Sequence, residues 1–161
     1  MKKILFWMLA IVLVIGCEEE QVQLSDEEQK KKDLEIIDQW LIDNHITAES
    51  DSSGLRYVIA NLGTGAKPVD SSSVTIMYTG LLLVEGVMDA KSKVFEQPVT
   101  PPTLKLSSMI QGLQIGLKLL PKASKAVFFI PSGLAHGKKG VGSTVPPNSN
   151  LYYEIELQDV K

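Results

Sequence analysis

With 161 residues, 44% of them hydrophobic and 22% charged, the chain has the size and balance of one globular domain. A formal net charge of −3 supplies no basic excess to displace counterions, so nucleic acid is not an expected partner. Two histidines, one cysteine and no H-E-x-x-H or C-x-x-C leave little material for a metal site, so neither a metal nor another cofactor is expected.

The first segment is expected to lie outside the fold. Lys2 and Lys3 precede an uncharged apolar run from Ile4 to Gly16. That is shorter than the roughly 20 residues of a membrane span and suits a signal-peptide core, so residues 1–16 are expected to be a signal peptide. The run ends in Val14-Ile15-Gly16-Cys17, which resembles the lipobox of bacterial lipoproteins. The resemblance implies that the Cys17 thiol is acylated, that the chain is cut before it, and that the new amino group is acylated too. Two acyl signals hold stably where one does not. The implied location is the bacterial cell envelope, with the protein held at a membrane, expected to be the outer one, through lipid on Cys17. Residues 17–25 then form a lipidated tether, in which Glu18-Glu19-Glu20 fit a solvated spacer or a sorting signal.

Ser25-Asp26-Glu27-Glu28 has the form of a capping box, and predicts a helix from about 26 to 44. Glu27 with Lys31 and Glu28 with Lys32 are spaced as i,i+4 pairs. Leu34, Ile37 and Trp40-Leu41 share one face, which needs either the following domain or a second copy of the helix as its cover. The chain is accordingly expected to be a monomer, or a dimer through this helix. Residues 26–50 are taken as helix and linker, and 51–161 as the main domain.

Gly54 to Ile59 is short and β-prone, and Asn61 to Pro68 is rich in turn residues. In the next strand Val74, Ile76 and Tyr78 fall on one face. Leu104 to Leu106 is a short strand candidate. Met109, Ile110, Leu113, Leu117 and Leu120 follow helical spacing, which Pro121 ends. Lys125 to Ile130 reads as a buried strand. Leu151, Tyr153, Ile155 and Leu157 alternate with Tyr152, Glu154 and Glu156, as in a half-exposed antiparallel strand. The expected class is α+β, an antiparallel sheet wrapped on one short helix.

Residues 137–144 read GKKGVGST, with two glycines at P-loop spacing but Ser143 where the lysine belongs. A phosphate cradle also needs a helix to follow. Pro146, Pro147 and the next strand's alternation exclude one, so nucleotide binding is not expected.

In this order the pieces GTGAKP (63–68), VTIMYTG (74–80), MIQGL (109–113), FFIPSGLAHG (128–137), VPPN (145–148) and LYYEIEL (151–157) resemble the FKBP-type peptidyl-prolyl cis–trans isomerases over roughly residues 54–160. The resemblance implies a twisted antiparallel half-barrel around one short helix, with the glycine-rich loop as a flap beside a proline pocket. It implies a pocket lined by Tyr78, Met109, Ile110, Val145 and Tyr153, with the Ile110 N–H holding the substrate carbonyl. Leu113 stands where the family has a tryptophan floor. His136 stands where the family usually has a flap tyrosine, and its imidazole can still donate a hydrogen bond. The family's Phe-Asp pair falls on Phe95-Glu96, or on Met88-Asp89 if no insertion is allowed.

The implied reaction needs no acid, base or nucleophile. Rotation about an amide is opposed by a barrier of about 18–20 kcal/mol from resonance. A dry pocket disfavours the polar planar form, and a placed N–H can steady the carbonyl while the bond turns. Proline-containing segments of exported or envelope proteins are the implied substrates. Two other readings are an FKBP-like module that binds proline segments or acts as a chaperone with little turnover, and a structural lipoprotein that dimerises through the first helix.

Overall fold

In the computed structural model, residues 24–83 and 94–161 are described. The expected signal peptide, Cys17, most of the tether and the Met88-Asp89 alternative lie outside them.

Helix α1 (Asp26–Asp43) begins at the capping box. Ser25 Oγ accepts from the Glu28 N–H at 3.3 Å, and the Glu28 carboxylate accepts from the Ser25 N–H at 2.9 Å. The hydrogen bonds from Ser25, side chain first, hold the Glu28 carboxyl below the usual carboxylate range. The i,i+4 pairs expected at Glu27–Lys31 and Glu28–Lys32 do not form among the described residues. Glu28 is engaged in the cap, and Lys31 lies 4.0 Å from Glu35, an exposed contact of little energetic weight.

The apolar stripe of α1 finds its cover in its own domain. Ile37 and Leu41 are buried against Leu83 and Phe129. The Trp40 ring lies 5.5 Å from Phe129 and 6.0 Å from Tyr152. Arg56 clamps Asp38 with two hydrogen bonds of 2.9 and 3.0 Å, fixing the helix lengthwise.

Seven strands follow: β1 (Glu49–Ser50), β2 (Arg56–Asn61), β3 (Ser73–Leu83), β4 (Val94–Glu96), β5 (Thr103–Lys105), β6 (Lys125–Ile130) and β7 (Asn150–Val160). They form one antiparallel sheet in the order β1-β2-β6-β7-β3-β4, with β5 also paired to β3. The long central pair runs from Val74↔Val160 to Leu83↔Asn150. Alternation divides the sheet into two faces. One carries Phe129, Tyr152 and Leu83 toward α1; the other carries Val74, Ile76, Phe128, Tyr153 and Ile155 into the main core.

Helix α2 (Gln111–Leu119) fills that second face with Leu113 and Leu117. It sits close because its contact face is glycine. A Cβ on Gly116 would lie 2.7 Å from the Phe128 ring, and one on Gly112 would lie 2.3 Å from Ile130 Cγ2.

The helix starts later than the apolar spacing implies. Met109 and Ile110 share the spacing of the helix but stand before it. A 3₁₀ turn at Leu106–Ser108 is closed by Met109 N–H to Leu106 O at 3.1 Å. Met109 and Ile110 then have extended backbone, and the first bond of α2 is Gln114 N–H to Ile110 O at 3.1 Å. The apolar period continues because both residues still face the core.

The glycine-rich loop has no helix after Gly142. A 3₁₀ turn at Gly137–Lys139 leads to a Val141↔Val145 bridge, and β7 starts at Asn150. Gly140 sits at φ 60°, where a Cβ would lie 2.2 Å from Val145 O.

Candidate active site

A cavity of about 240 Å³ opens where the core face of the sheet meets the entry of α2. That is at the small end for ligand pockets, which run about 300–1,000 Å³, and suits a short side chain with its flanking backbone.

Strand alternation supplies the walls. On β3, Tyr78 follows the buried Val74 and Ile76 onto the core face, and on β7 Tyr153 comes in beside it, the rings 6.0 Å apart. Phe95, from β4, meets Tyr153 edge-on at 5.8 Å and an interplanar angle of 89°. Gly80 makes room for both rings: its Cβ would lie 2.9 Å from Phe95 Cζ and 3.0 Å from Tyr153 Cε1.

Glu96 joins the two tyrosines. The Tyr78 hydroxyl donates to Glu96 Oε1 at 2.6 Å, and the Tyr153 hydroxyl donates to Oε2 at 3.4 Å. Burial first, and the Glu96 carboxylate with it, push both phenols above the ordinary tyrosine range. Both therefore stay protonated and keep donating to Glu96 at any physiological pH.

Leu113 forms part of the floor and is only 7% exposed. Met109 and Ile110 line the wall at the helix entry, and His136 lines it from the glycine-rich loop. The Ile110 N–H meets no acceptor among the described residues, while its carbonyl starts α2. An unengaged N–H beside a cavity can donate to a carbonyl that enters it.

Two of the expected residues are set back from the cavity lining. Val145 is 1% exposed and packed in the core, and Phe95 stands behind the lining, against Tyr153. Three lining residues had not been expected: Ile76, Leu104 and Ser108. Strand alternation had already turned Ile76 inward. Ser108 carries no sequence signal; its hydroxyl donates to Lys105 O at 2.7 Å and ties down the turn before Met109. No cluster of histidine, cysteine or acidic side chains able to hold a metal occurs among the described residues. Among them, no helix is long and apolar enough to cross a membrane.

A sheet wrapped on one short helix, with an aromatic cavity at that helix's entry, defines a class of protein. The family model for FKBP-type peptidyl-prolyl cis-trans isomerases matches residues 64–158, more than half of the chain. The chain belongs to this family. It is 40% identical over 109 residues to outer membrane protein MIP of Legionella longbeachae, covering 68% of this chain and 45% of that protein. It is 39% identical over 109 residues to the isomerase FkpA of Aeromonas hydrophila, covering 68% and 39%. The chain thus spans less than half the length of these two curated relatives. Among solved structures it is similar to a peptidyl-prolyl cis-trans isomerase of Pseudomonas syringae, with a TM-score of 0.71 at 27% identity over 86% of this chain and 98% of that one. It is also similar to FkpA of Escherichia coli, with a TM-score of 0.66 at 30% identity over 84% and 63%.

Proposed function

We propose that the protein is a peptidyl-prolyl cis–trans isomerase acting on Xaa-Pro bonds of exported or envelope proteins. The observation that carries this reading is the cavity itself: apolar at Leu113, Met109 and Ile110, walled by Tyr78 and Tyr153, with the Ile110 N–H unengaged beside it. A prolyl ring entering this space leaves water. The planar amide loses more solvation than the twisted one, whose dipole is smaller, so the barrier falls. The Ile110 N–H would hold the carbonyl as the nitrogen pyramidalises. Tyr78, Phe95, Glu96 and Tyr153 act as a braced wall, since two hydrogen bonds and two ring contacts leave the tyrosines little freedom. His136 would donate to the substrate from the rim.

The envelope location, with lipid on Cys17, is part of the same proposal. It is supported by the Val14–Cys17 motif and by an outer membrane protein among the relatives. Mass spectrometry of the chain from its native membrane should show acyl chains that Cys17→Ser removes.

The activity is tested with the full chain in mild detergent, following cis-to-trans relaxation of short Xaa-Pro peptides with the preceding residue varied. Uncatalysed exchange takes about 10–100 s. The expected rate rises linearly with protein and falls in Tyr78→Ala. Binding of the same peptides without acceleration would replace this reading with that of a binding module, in which the Leu113 floor and His136 rim have cost the turnover.

A further inference from the structure

The loop that brings His136 to the cavity joins β6 to β7. Its two ends, Ser132 and Asn150, are buried, at 1% and 3% exposure. They are tied to each other, Ser132 N–H donating to Asn150 Oδ1 at 3.1 Å.

A residue 99 positions earlier closes the group. Asp33, on α1, is itself 1% exposed. Its Oδ2 accepts the Ser132 N–H at 2.9 Å and the Ser132 hydroxyl at 2.6 Å. Its Oδ1 accepts from Gln29 Nε2 at 2.7 Å, and its backbone carbonyl accepts from Asn150 Nδ2 at 3.3 Å. Burying a carboxylate is costly, and only short, well-directed hydrogen bonds offset it. Docking of α1 does not require that cost, because Ile37, Leu41 and Trp40 already cover Phe129. What the carboxylate adds is direction: it fixes one backbone amide and one hydroxyl at the root of the loop.

Elsewhere the loop and the helix stand apart. A cavity of about 430 Å³ lies between the first turns of α1 and residues 131–138. A Cβ on Gly133 would meet nothing within 4 Å. Besides the Asp33 bonds, the polar tie across this gap among the described residues is an exposed ion pair, Lys138 Nζ to Asp26 Oδ1 at 2.8 Å, which salt would weaken. From Ser132 the chain makes one 3₁₀ turn, closed by Ala135 N–H to Ser132 O at 3.0 Å, and His136 follows at once. So short a rigid path means that moving Ser132 moves His136.

The geometry points to Asp33 as a positioning residue for the proline cavity: through the buried Asp33–Ser132–Asn150 cluster, α1 sets where His136 stands. The family model begins at residue 64, so this control comes from a part of the chain outside the matched segment. Its consequence for turnover rests on the isomerase reading; its consequence for the position of His136 does not.

The test compares Asp33→Asn with Asp38→Asn in the full chain in detergent. The second change breaks the Arg56 clamp on the same helix, away from the loop. The readouts are the His136 ring signals in NMR, assigned by their loss in His136→Asn, and the separate KM and kcat for an Xaa-Pro peptide. Asp33→Asn is expected to shift the His136 signals and to raise KM about tenfold with a smaller change in kcat, the signature of a displaced contact. Asp38→Asn is expected to do neither. Should Asp33→Asn fail to fold, Ser132→Ala removes only the 2.6 Å bond and is expected to shift the same signals less. Unmoved His136 signals in Asp33→Asn and Ser132→Ala, or signals moved as far by Asp38→Asn, would overturn the proposal. If the unaltered protein accelerates no peptide, the isomerase reading fails, and the His136 signals still decide the role of Asp33.

Discussion

Tyr152 and Tyr153 are neighbours on β7 and belong to opposite faces of the sheet. Tyr152 joins Phe129, at 5.3 Å, and Trp40, at 6.0 Å, under helix α1. Tyr153 joins Tyr78, at 6.0 Å, and Phe95, at 5.8 Å, around Glu96. Each cluster is three aromatic rings at similar spacings, with a tryptophan in the first where the second has a tyrosine. They differ in what lies over them. The first is capped by a helix that closes it with Ile37 and Leu41, and it is core. Over the second, the entry of α2, Leu104 and His136 border an open cavity without closing it, and one carboxylate, Glu96, joins its two phenols where Tyr152 alone bonds Glu154. Aromatic residues thus stabilise on one face and border an open cavity on the other, according to whether the next element covers them.

Changes on each face should separate stability from activity. The largest effect is expected for Phe129→Ala. Phe129 is fully buried, and its loss should cost about 3–5 kcal/mol of unfolding free energy by denaturant titration, with the activity per folded molecule kept. Phe95→Ala should do the reverse. An edge-on aromatic pair contributes about 0.5–1.5 kcal/mol beyond its burial, so with the burial of a half-buried ring lost as well, stability should fall by about 2 kcal/mol. The loosened Tyr153 should lower kcat/KM up to about tenfold in the peptide assay.

Alkaline pH probes both faces at once. The folded state raises the phenols of Tyr78, Tyr152 and Tyr153, with burial the first cause in each. Above about pH 10 the unfolded chain loses these protons and the folded chain keeps them. Stability is therefore fully present below about pH 10 and declines as pH rises beyond it. Thermal melts of Tyr152→Phe and Tyr153→Phe should each show a shallower decline.

The smallest effect is expected at Glu96. Glu96→Gln removes the charge on the cavity side only. Tyr78 and Tyr153 should then titrate at lower pH, with the contribution of burial remaining, while Tyr152, beside Glu154, should not change. A ¹³C NMR titration of the tyrosine Cζ signals, each assigned by its phenylalanine variant, resolves these three from Tyr57, and an equal shift for Tyr152 would mean that the faces are electrostatically linked through the sheet.

Much of this was legible in the linear chain, because local physics repeats along it. The capping box set the start of α1, and Pro121 set the end of α2, each through atoms within a few residues. Alternation in β3 and β7 decided that Tyr78 and Tyr153 face one way and Tyr152 the other. The absence of a helix after Gly142 followed from two prolines. By contrast, periodicity misplaced Met109 and Ile110, since residues facing the core through a corner keep the helical spacing without the helical backbone.

The linear chain thus carries the elements, their faces and the family whose pattern they share. Which faces meet is fixed by packing in three dimensions. That α1 covers its own sheet, that Glu96 reaches two hydroxyls on different strands, and that Asp33 lies against Ser132 are contacts between distant parts of the chain. No period or local propensity encodes such contacts. They follow from sheet order and helix docking, where burial, close packing and hydrogen bonding of every buried polar side chain must be met together.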